Sequence, residues 1–395
     1  MRPLFADRWF IVFLSILFFN GAISGPLSTF LSIYVADGLA QDQKLAANLR
    51  TVSLLFMAIF ALVGGITSDS VGSRSTLFVG VLGTAAGAAI FLTESPPLLF
   101  LLAAAEGAGL GMLSTGSQSY LLNATWVGRV GTATGLYFAG RSLGSVAGDP
   151  IGGAILQWWD FRTLGLIALV ALIPVLAAVF ALPRSGAGER GKTADLRTVL
   201  AGITDIVRRS EVLSLSLMQY FRTTFWGAAG LALPFLLKRL TDSNLTVGWF
   251  SAVALAAGVM AVLVMGPVSD RIGRRFAVLA AVSAMLSGSV LLAVFAGSAA
   301  GILAGGIVAS IGAWMLSGQV PPLVKQIERG GEAGRMMSTV SVPWALGNLT
   351  GAQLHGLLTE SSPTGLFVVT SAVLLIALLA AYRVVHSHPV QIASN

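Results

Sequence analysis

Twelve long apolar stretches follow one another along this chain of 395 residues, separated by short polar segments. A helix needs ~20 mainly apolar residues to cross the hydrocarbon core of a bilayer. Helix is the expected form, because backbone groups in lipid must be hydrogen-bonded within their own segment. The predicted spans are 9–34, 47–68, 75–93, 98–121, 132–156, 163–182, 212–237, 246–268, 276–296, 301–323, 335–358 and 365–385.

The composition excludes an ordinary soluble domain. Charged residues make up 10% of the chain and the mean hydropathy is +0.84, whereas soluble domains carry roughly 25% charged residues. A surface so poor in charge suits lipid. The chain contains no cysteine, which excludes disulfide and thiolate chemistry. We therefore predict an all-α polytopic membrane protein.

The positive charges predict the orientation of the chain. Most of the 24 lysines and arginines lie in segments that would share one side of the membrane with the N-terminus. Positively charged loops face the cytoplasm in membrane proteins. This predicts a multi-pass protein of the cell membrane, such as a bacterial inner membrane, with both termini in the cytoplasm. The N-terminal run is interpreted as the first span and not as a cleaved signal peptide.

A ten-residue loop pattern occurs twice, about half a chain apart. Its residues are Gly65, Asp69, Gly72 and Arg74 in the first copy, and Gly266, Asp270, Arg271, Gly273, Arg274 and Arg275 in the second. Each copy follows the second span of its half, and internal duplication is common in secondary transporters. We predict an N-terminal six-helix half (1–182), a cytoplasmic linker (183–211), and a C-terminal six-helix half with a short cytoplasmic tail (212–395).

In these features the chain resembles the major facilitator superfamily over its whole length. The second loop matches the family's G-x-x-x-D-R-x-G-R-R signature in full, whereas the first has Ser70 and Ser73 in place of two arginines. The resemblance implies two pseudo-symmetric six-helix halves and transport by alternating access. It also implies that these cytoplasmic loops help to hold the outward-facing state and govern its opening.

The fifth span carries a glycine-rich pattern that includes Gly144, Gly148, Pro150, Gly152 and Gly153. It resembles the glycine-proline motif of the family's drug:proton antiporters, with an aspartate at the usual proline position and the proline one place later. Such a pattern gives a smooth, kinkable helix face. Two interpretations stay open: an antiporter signature, or ordinary glycine packing between membrane helices.

Three ionisable residues inside the spans are candidates for proton coupling, because charge is costly in lipid and marks function by default. Glu106 in span four and Asp149 in span five are expected at similar depth on neighbouring helices, where one of them can bind and release a proton. We predict that Arg141 tunes this site. The alternative is a static pair between Arg141 and one carboxylate that holds the helices together.

The resemblance also implies that spans one, four, seven and ten line a central cavity. Substrate-binding side chains are predicted there, at Asn20, Gln118, Gln219, Arg222, Trp314 and Gln319. Arg222 is either a counter-charge for an anionic substrate or a packing residue.

The expected partners are a small-molecule substrate, protons as the coupling ion and membrane lipid, and the chain is expected to be a monomer. Segment 186–193 fits a phosphate-loop pattern, but a membrane span precedes it and the polar stretch is too short for a nucleotide-binding domain. ATP, nucleic acid, cofactors and metals are therefore not predicted.

Three functions compete. The first is proton-coupled efflux of amphipathic compounds, and the second is import or facilitated transport of a nutrient or an organic anion. The third is a membrane enzyme or receptor, which no nucleophile–base set in the sequence supports. We predict a secondary transporter and not an enzyme.

Overall fold

A computed structural model describes residues 7–123, 130–183, 209–327 and 333–386. Within these ranges the chain forms twelve long helices and no strand, which confirms the predicted fold class. The helices are α1 Arg8–Thr29, α2 Gln43–Ser70, α3 Ser73–Ile90, α4 Pro96–Asn123, α5 Val130–Trp158, α6 Phe161–Ala181, α7 Ser210–Thr241, α8 Asn244–Ile272, α9 Arg274–Val294, α10 Ala299–Ile327, α11 Ala333–Leu358 and α12 Pro363–His386.

The end of α1 differs from the predicted span 9–34. Helical residues Leu31–Ile33 and a wide π-helical turn at Tyr34–Gly38 prolong it to the start of the next connection. Most of the predicted linker, including the segment with the phosphate-loop pattern, lies outside the described residues.

Nine of the described helices are long and apolar enough to cross a membrane by themselves. The other three are α5, α7 and α11. In α7 most residues between Val212 and Leu237 are buried. A helix surrounded by other helices needs little lipid-compatible surface, so its hydropathy is lower than that of a peripheral span.

The helices form two compact units. One comprises Met1–Thr193 with Asp242–Ala252, and the other Ala194–Thr241 with Val253–Asn395. In the first unit α1 packs on α5 and α6, while α3 packs on α4 and α6. In the second unit the same pairing joins α7 to α11 and α12, and α9 to α10 and α12. The two halves of the sequence thus have the same pattern of helix contacts.

Glycines allow α5 to approach α1 closely. A Cβ atom on Gly148 would lie 2.7 Å from the Cα of Ala22 and nearer still to the carbonyl oxygen of that residue. One turn earlier, a Cβ on Gly144 would lie 2.9 Å from the amide nitrogen of Ala22, and nearer still to the carbonyl oxygen of Phe18. The second unit repeats this arrangement, with Gly351 of α11 against the backbone of α7. Close backbone approach of this kind needs residues without a side chain.

Candidate functional site

The buried guanidinium of Arg222 is the centre of the candidate site in the second unit. Arg222 lies on α7 with 5% of its surface exposed, and its Nη1 atom donates to Ser317 Oγ (2.7 Å) and Ala313 O (3.2 Å) of α10. Its Nε atom is buried and has no hydrogen-bond partner. In the described part of the chain no carboxylate lies within 4.0 Å of Arg222. The positive charge is therefore hydrogen-bonded but not neutralised.

The exposed side chain of Ser317 opens the site to its surroundings. Ser317 Oγ accepts from Arg222 and donates to Ala313 O (2.9 Å), so both of its roles are used within α10 and α7. Pro321, one turn further along α10, has no N–H for the carbonyl oxygen of Ser317, which loosens the helix at this level.

Two further polar side chains near Arg222 also have unused hydrogen-bonding atoms. Gln219 precedes Arg222 by three residues, which places both on one side of α7, and its buried Oε1 atom has no donor. Trp314 follows Ala313 on α10, and its ring packs on Gly258 of α8 while Nε1 has no acceptor. Arg222, Gln219 and Trp314 thus contribute two N–H donors and one carbonyl acceptor that have no partner among the described residues.

Gln319 lies on a different side of α10. It follows Gly312 by seven residues, or nearly two full turns, and Gly312 packs against Ala281 and Met285 of α9. Gln319 is 3% exposed and its Oε1 has no partner, but the helical period places it towards α9 and away from Arg222. The structure therefore separates Gln319 from the other predicted substrate-binding residues of this unit.

The predicted substrate-binding residues of the first unit have different surroundings. Asn20 is 1% exposed on α1, and its Oδ1 accepts a hydrogen bond from Thr84 Oγ1 of α3 (3.0 Å). Gln118 is exposed on α4 and reaches only Ser114 Oγ (3.5 Å). Asn20 is thus held between two helices, while Gln118 is accessible.

Asp149 lies at the crossing of α5 with α1. Its side chain is 3% exposed, and its Oδ1 atom has no hydrogen-bond partner. A Cβ atom on Gly25 would lie 2.7 Å from this oxygen, so the carboxylate lies flat against α1. The hydroxyl of Thr29 faces the same carboxylate. Helix α8 packs on the opposite side of Asp149. A Cβ atom added to Gly248 of α8 would lie 3.1 Å from the Cα of Pro150.

Pro26 interrupts the backbone hydrogen bonds of α1 at this crossing. Pro26 has no N–H to donate to the carbonyl oxygen of Ala22, one turn earlier. That oxygen points at Gly148, directly before Asp149.

Glu106 lies at a different interface from Asp149. It is half-buried on α4, its side chain lies against Gly87 of α3, and Arg50 and Ser53 of α2 are its polar neighbours. The prediction that the two carboxylates form one site on neighbouring helices is therefore not what the structure shows. Asp149 faces α1 and α8, and Glu106 faces α2 and α3.

Arg141 pairs with neither carboxylate. Among the described residues, no ion pair within 4.0 Å joins Arg141 to Glu106 or to Asp149, which contradicts the predicted static pair. The backbone carbonyl of Arg141 instead packs on Gly21 of α1. Arg50 is the cation near Glu106, and it is not among the residues predicted for the site. Its position inside the predicted span 47–68 was the available signal.

The remaining residues of the fifth-span motif also face neighbouring helices. Pro150 lies inside α5 without ending it. Gly152 packs on Pro26 of α1, and Gly153 faces the backbone of Asn244 at the start of α8. Both glycines therefore serve close helix contacts.

The two copies of the loop motif turn in the same way. Gly72 (φ 107°) and Gly273 (φ 95°) directly precede α3 and α9, in a conformation that side chains disfavour. In the first copy, Arg74 Nη1 donates to Leu182 O (2.9 Å) and Phe180 O (3.2 Å), the free carbonyls at the end of α6. A cation at a helix C-terminus is favoured by the helix dipole.

The second loop uses a different arginine. Arg274 Nη1 donates to Pro322 O of α10 (2.8 Å), whereas Arg275, the counterpart of Arg74 in the sequence repeat, is exposed, as is Arg271. Gly65 and Gly266 lie within α2 and α8. The side chains of Asp69 and Asp270 lie outside the described part of the structure.

Comparison with known proteins finds distant relatives whose names describe them as transporters. A 3-(3-hydroxy-phenyl)propionate transporter of Escherichia coli is 27% identical over 73% of this chain and 68% of its own length. A putative tartrate transporter of Agrobacterium vitis is 23% identical over 64% of this chain and 62% of its own length. The uncharacterized transporter YybF of Bacillus subtilis is 25% identical, over 37% of this chain and 39% of its own length.

Solved structures share the fold at low sequence identity. The nucleoside transporter NupG superposes with a TM-score of 0.81 at 10% identity, over 95% of this chain and all of that one. A peptide transporter, POT, gives 0.81 at 16% identity, over 98% and 96% of the two chains. The sequence profile of the Major Facilitator Superfamily matches residues 9–225 and 215–394. This chain therefore belongs to the major facilitator superfamily, and it is a multi-pass membrane transport protein and not an enzyme.

Proposed function

We propose that this protein is a secondary carrier of organic anions and that Arg222 is the counter-charge of the substrate. The observation that carries the proposal is the buried guanidinium of Arg222, which has no carboxylate within 4.0 Å in the described chain and has an unused Nε donor. An unneutralised charge inside a membrane bundle is costly, and removing one partner of a buried pair costs about 3–5 kcal/mol. A carboxylate that enters and leaves the site offsets this cost only while it is bound.

The names of two relatives support this choice between the competing functions. Tartrate and 3-(3-hydroxy-phenyl)propionate are both organic carboxylates. Both relatives share less than 30% identity with this chain, so their substrates are a guide to chemical class only.

The experiment is counterflow of radiolabelled solutes into proteoliposomes, with a panel of carboxylates, a lipophilic cation and a neutral drug. Arg222→Gln is expected to lower the apparent affinity for carboxylates by about tenfold or more, because charge-assisted hydrogen bonds contribute roughly 1.5–3 kcal/mol each. The matched control is Arg239→Gln, which removes an exposed arginine from the same helix. Carboxylate transport that is equal in both variants, or absent from the wild type, contradicts the proposal.

We further propose that protons drive this transport through Asp149. The support is the buried Oδ1 atom of Asp149, which has no partner, and the nearby carbonyl oxygen of Ala22, which loses its regular helix donor at Pro26; a protonated carboxyl group can donate where the carboxylate can only accept. No charged side chain of the described chain lies within ion-pair distance of Asp149. The helices around Asp149 carry few charged residues. They are Arg8 on α1, Glu106 on α4 and Arg162 on α6, and α5 itself carries Arg141. Segment 244–252 of α8 carries none.

Asp149→Asn is expected to abolish the pH dependence of counterflow while exchange itself continues. The matched control is Asp160→Asn, which changes an exposed aspartate at the start of α6. A pH profile of Asp149→Asn that follows the wild type would remove Asp149 from the coupling mechanism.

Proton-coupled efflux of amphipathic compounds is a second candidate function. The resemblance of the glycine-rich α5 motif to that of drug:proton antiporters favours it, as does the Trp314 ring beside the site. The lipophilic cation in the counterflow panel distinguishes the two candidates, because the uncompensated charge of Arg222 repels it. A cytoplasmic location of both termini, a monomeric state, and a latch role for the loops at Arg74 and Arg274 complete the proposal.

A further inference from the structure

We infer that the substrate of this carrier is a hydroxycarboxylate, whose hydroxyl group donates to Gln219 while its carboxylate binds Arg222. This inference rests on the proposed anion site and specifies the chemical class that fits it. The evidence is the set of unused hydrogen-bonding atoms around Arg222, each of which a complementary atom on the substrate would satisfy.

The donors define one end of the substrate. Arg222 Nε and Trp314 Nε1 are buried N–H groups without an acceptor. Neither atom can accept a hydrogen bond, so each needs an oxygen from outside the described chain. A carboxylate offers two oxygens and the opposite charge to Arg222.

The acceptor defines a second group. Gln219 Oε1 is buried, lies one turn before Arg222 on the same side of α7, and has no donor. A plain carboxylate has only acceptors and leaves this oxygen unsatisfied. A substrate that carries a donor close to its carboxylate satisfies this oxygen as well as Arg222.

The charge of Arg222 selects the kind of donor. An ammonium group would satisfy Gln219, but a zwitterionic amino acid has no net charge and would leave the site with the full positive charge of Arg222, which no described carboxylate neutralises. An ammonium group beside a guanidinium is also repelled strongly, because like charges interact more strongly in a medium of low dielectric constant. A neutral hydroxyl donates without this penalty, so a hydroxy acid is favoured over an amino acid.

The experiment compares carboxylates that differ at one substituent. Two series are used as competitors in counterflow: mandelate, phenylacetate and phenylglycine, and malate, succinate and aspartate. In at least one series the hydroxylated member is expected to compete about tenfold better than the member without the hydroxyl, because a buried acceptor left unpaired is penalised. The amino member is expected to compete least well.

Gln219→Met tests the role of the acceptor at nearly constant side-chain length. The variant is expected to lose the preference for the hydroxylated member, and the thermal unfolding midpoint of the purified variant shows whether it is folded. Gln326→Met, at an exposed position near the inner end of α10, is the matched control and should keep the preference.

The outcomes separate this inference from the proposed function. If carboxylates are transported but hydroxylated and plain members compete equally in both series, the hydroxycarboxylate inference is wrong and the anion site stands. A preference that persists in Gln219→Met likewise overturns the role of Gln219. If no carboxylate is transported at all, the proposed function fails first.

Discussion

Replacement of Gly148 by alanine tests whether glycine contacts set the distance between α5 and α1. The new Cβ would lie 2.7 Å from the Cα of Ala22, whereas ordinary van der Waals contacts begin near 3.4 Å. The helices must therefore move apart by at least about 0.7 Å, and the neighbouring atoms are backbone that cannot rotate away. Overpacking of this kind costs about 1–3 kcal/mol, which exceeds the roughly 0.5–1 kcal/mol that alanine gains over glycine within a helix.

The assay is thermal unfolding of the purified protein in detergent, followed by tryptophan fluorescence. Gly148→Ala is expected to lower the midpoint by several degrees. Gly351→Ala, at the corresponding contact between α11 and α7, should lower it to a similar extent, because its Cβ would lie 2.6 Å from the amide nitrogen of Ala228.

Gly230→Ala is the matched control. Gly230 is an exposed residue within α7, and a Cβ atom there meets nothing within 4 Å. This variant should unfold at the wild-type temperature or slightly above it, because only the helix-propensity gain of alanine remains. Equal midpoints for Gly148→Ala and Gly230→Ala would refute the argument that close backbone contact, and not helix propensity, decides the outcome.

Two further predictions concern Gly72 and Thr84 of the first unit. Gly72→Ala should destabilise the loop before α3 by about 1–3 kcal/mol, because φ is 107° there, and Gly266→Ala, which meets open space, should not; unfolding midpoints compare the two. Thr84→Val should lower the midpoint by leaving Asn20 Oδ1 buried without a donor, at a cost of about 1–3 kcal/mol, whereas Thr84→Ser should retain most of the stability. A Thr84→Val midpoint equal to that of the wild type would show that this hydrogen bond contributes nothing net.

The sequence alone determined the class of the fold. Runs of ~20 apolar residues admit only helices in lipid, and the repeated loop at Gly65 and Gly266 indicated two related halves. The sequence also indicated sharp turns at Gly72 and Gly273, because the backbone conformation of such a turn is a local requirement that glycine meets.

The partners of the charged side chains were decided by the tertiary structure. Glu106 was expected beside Asp149, but depth along a helix does not specify the direction in which a side chain points. Rotation of α4 turns Glu106 towards Arg50, while α5 turns Asp149 towards Gly25. Sequence spacing fixes a residue's position on its own helix and not the helix that faces it.

The candidate site shows the same division. That Arg222 is an intramembrane cation follows from its place in an apolar run, and so does the hypothesis that it is functional. Only the packing of α7 against α10 shows that Ser317 and Ala313 bind it, that Gln319 lies elsewhere, and that no described carboxylate neutralises it. Composition and helical periodicity can be taken directly from the sequence. Whether a buried polar atom finds a hydrogen-bond partner depends on which helices pack together, and only the folded structure decides that.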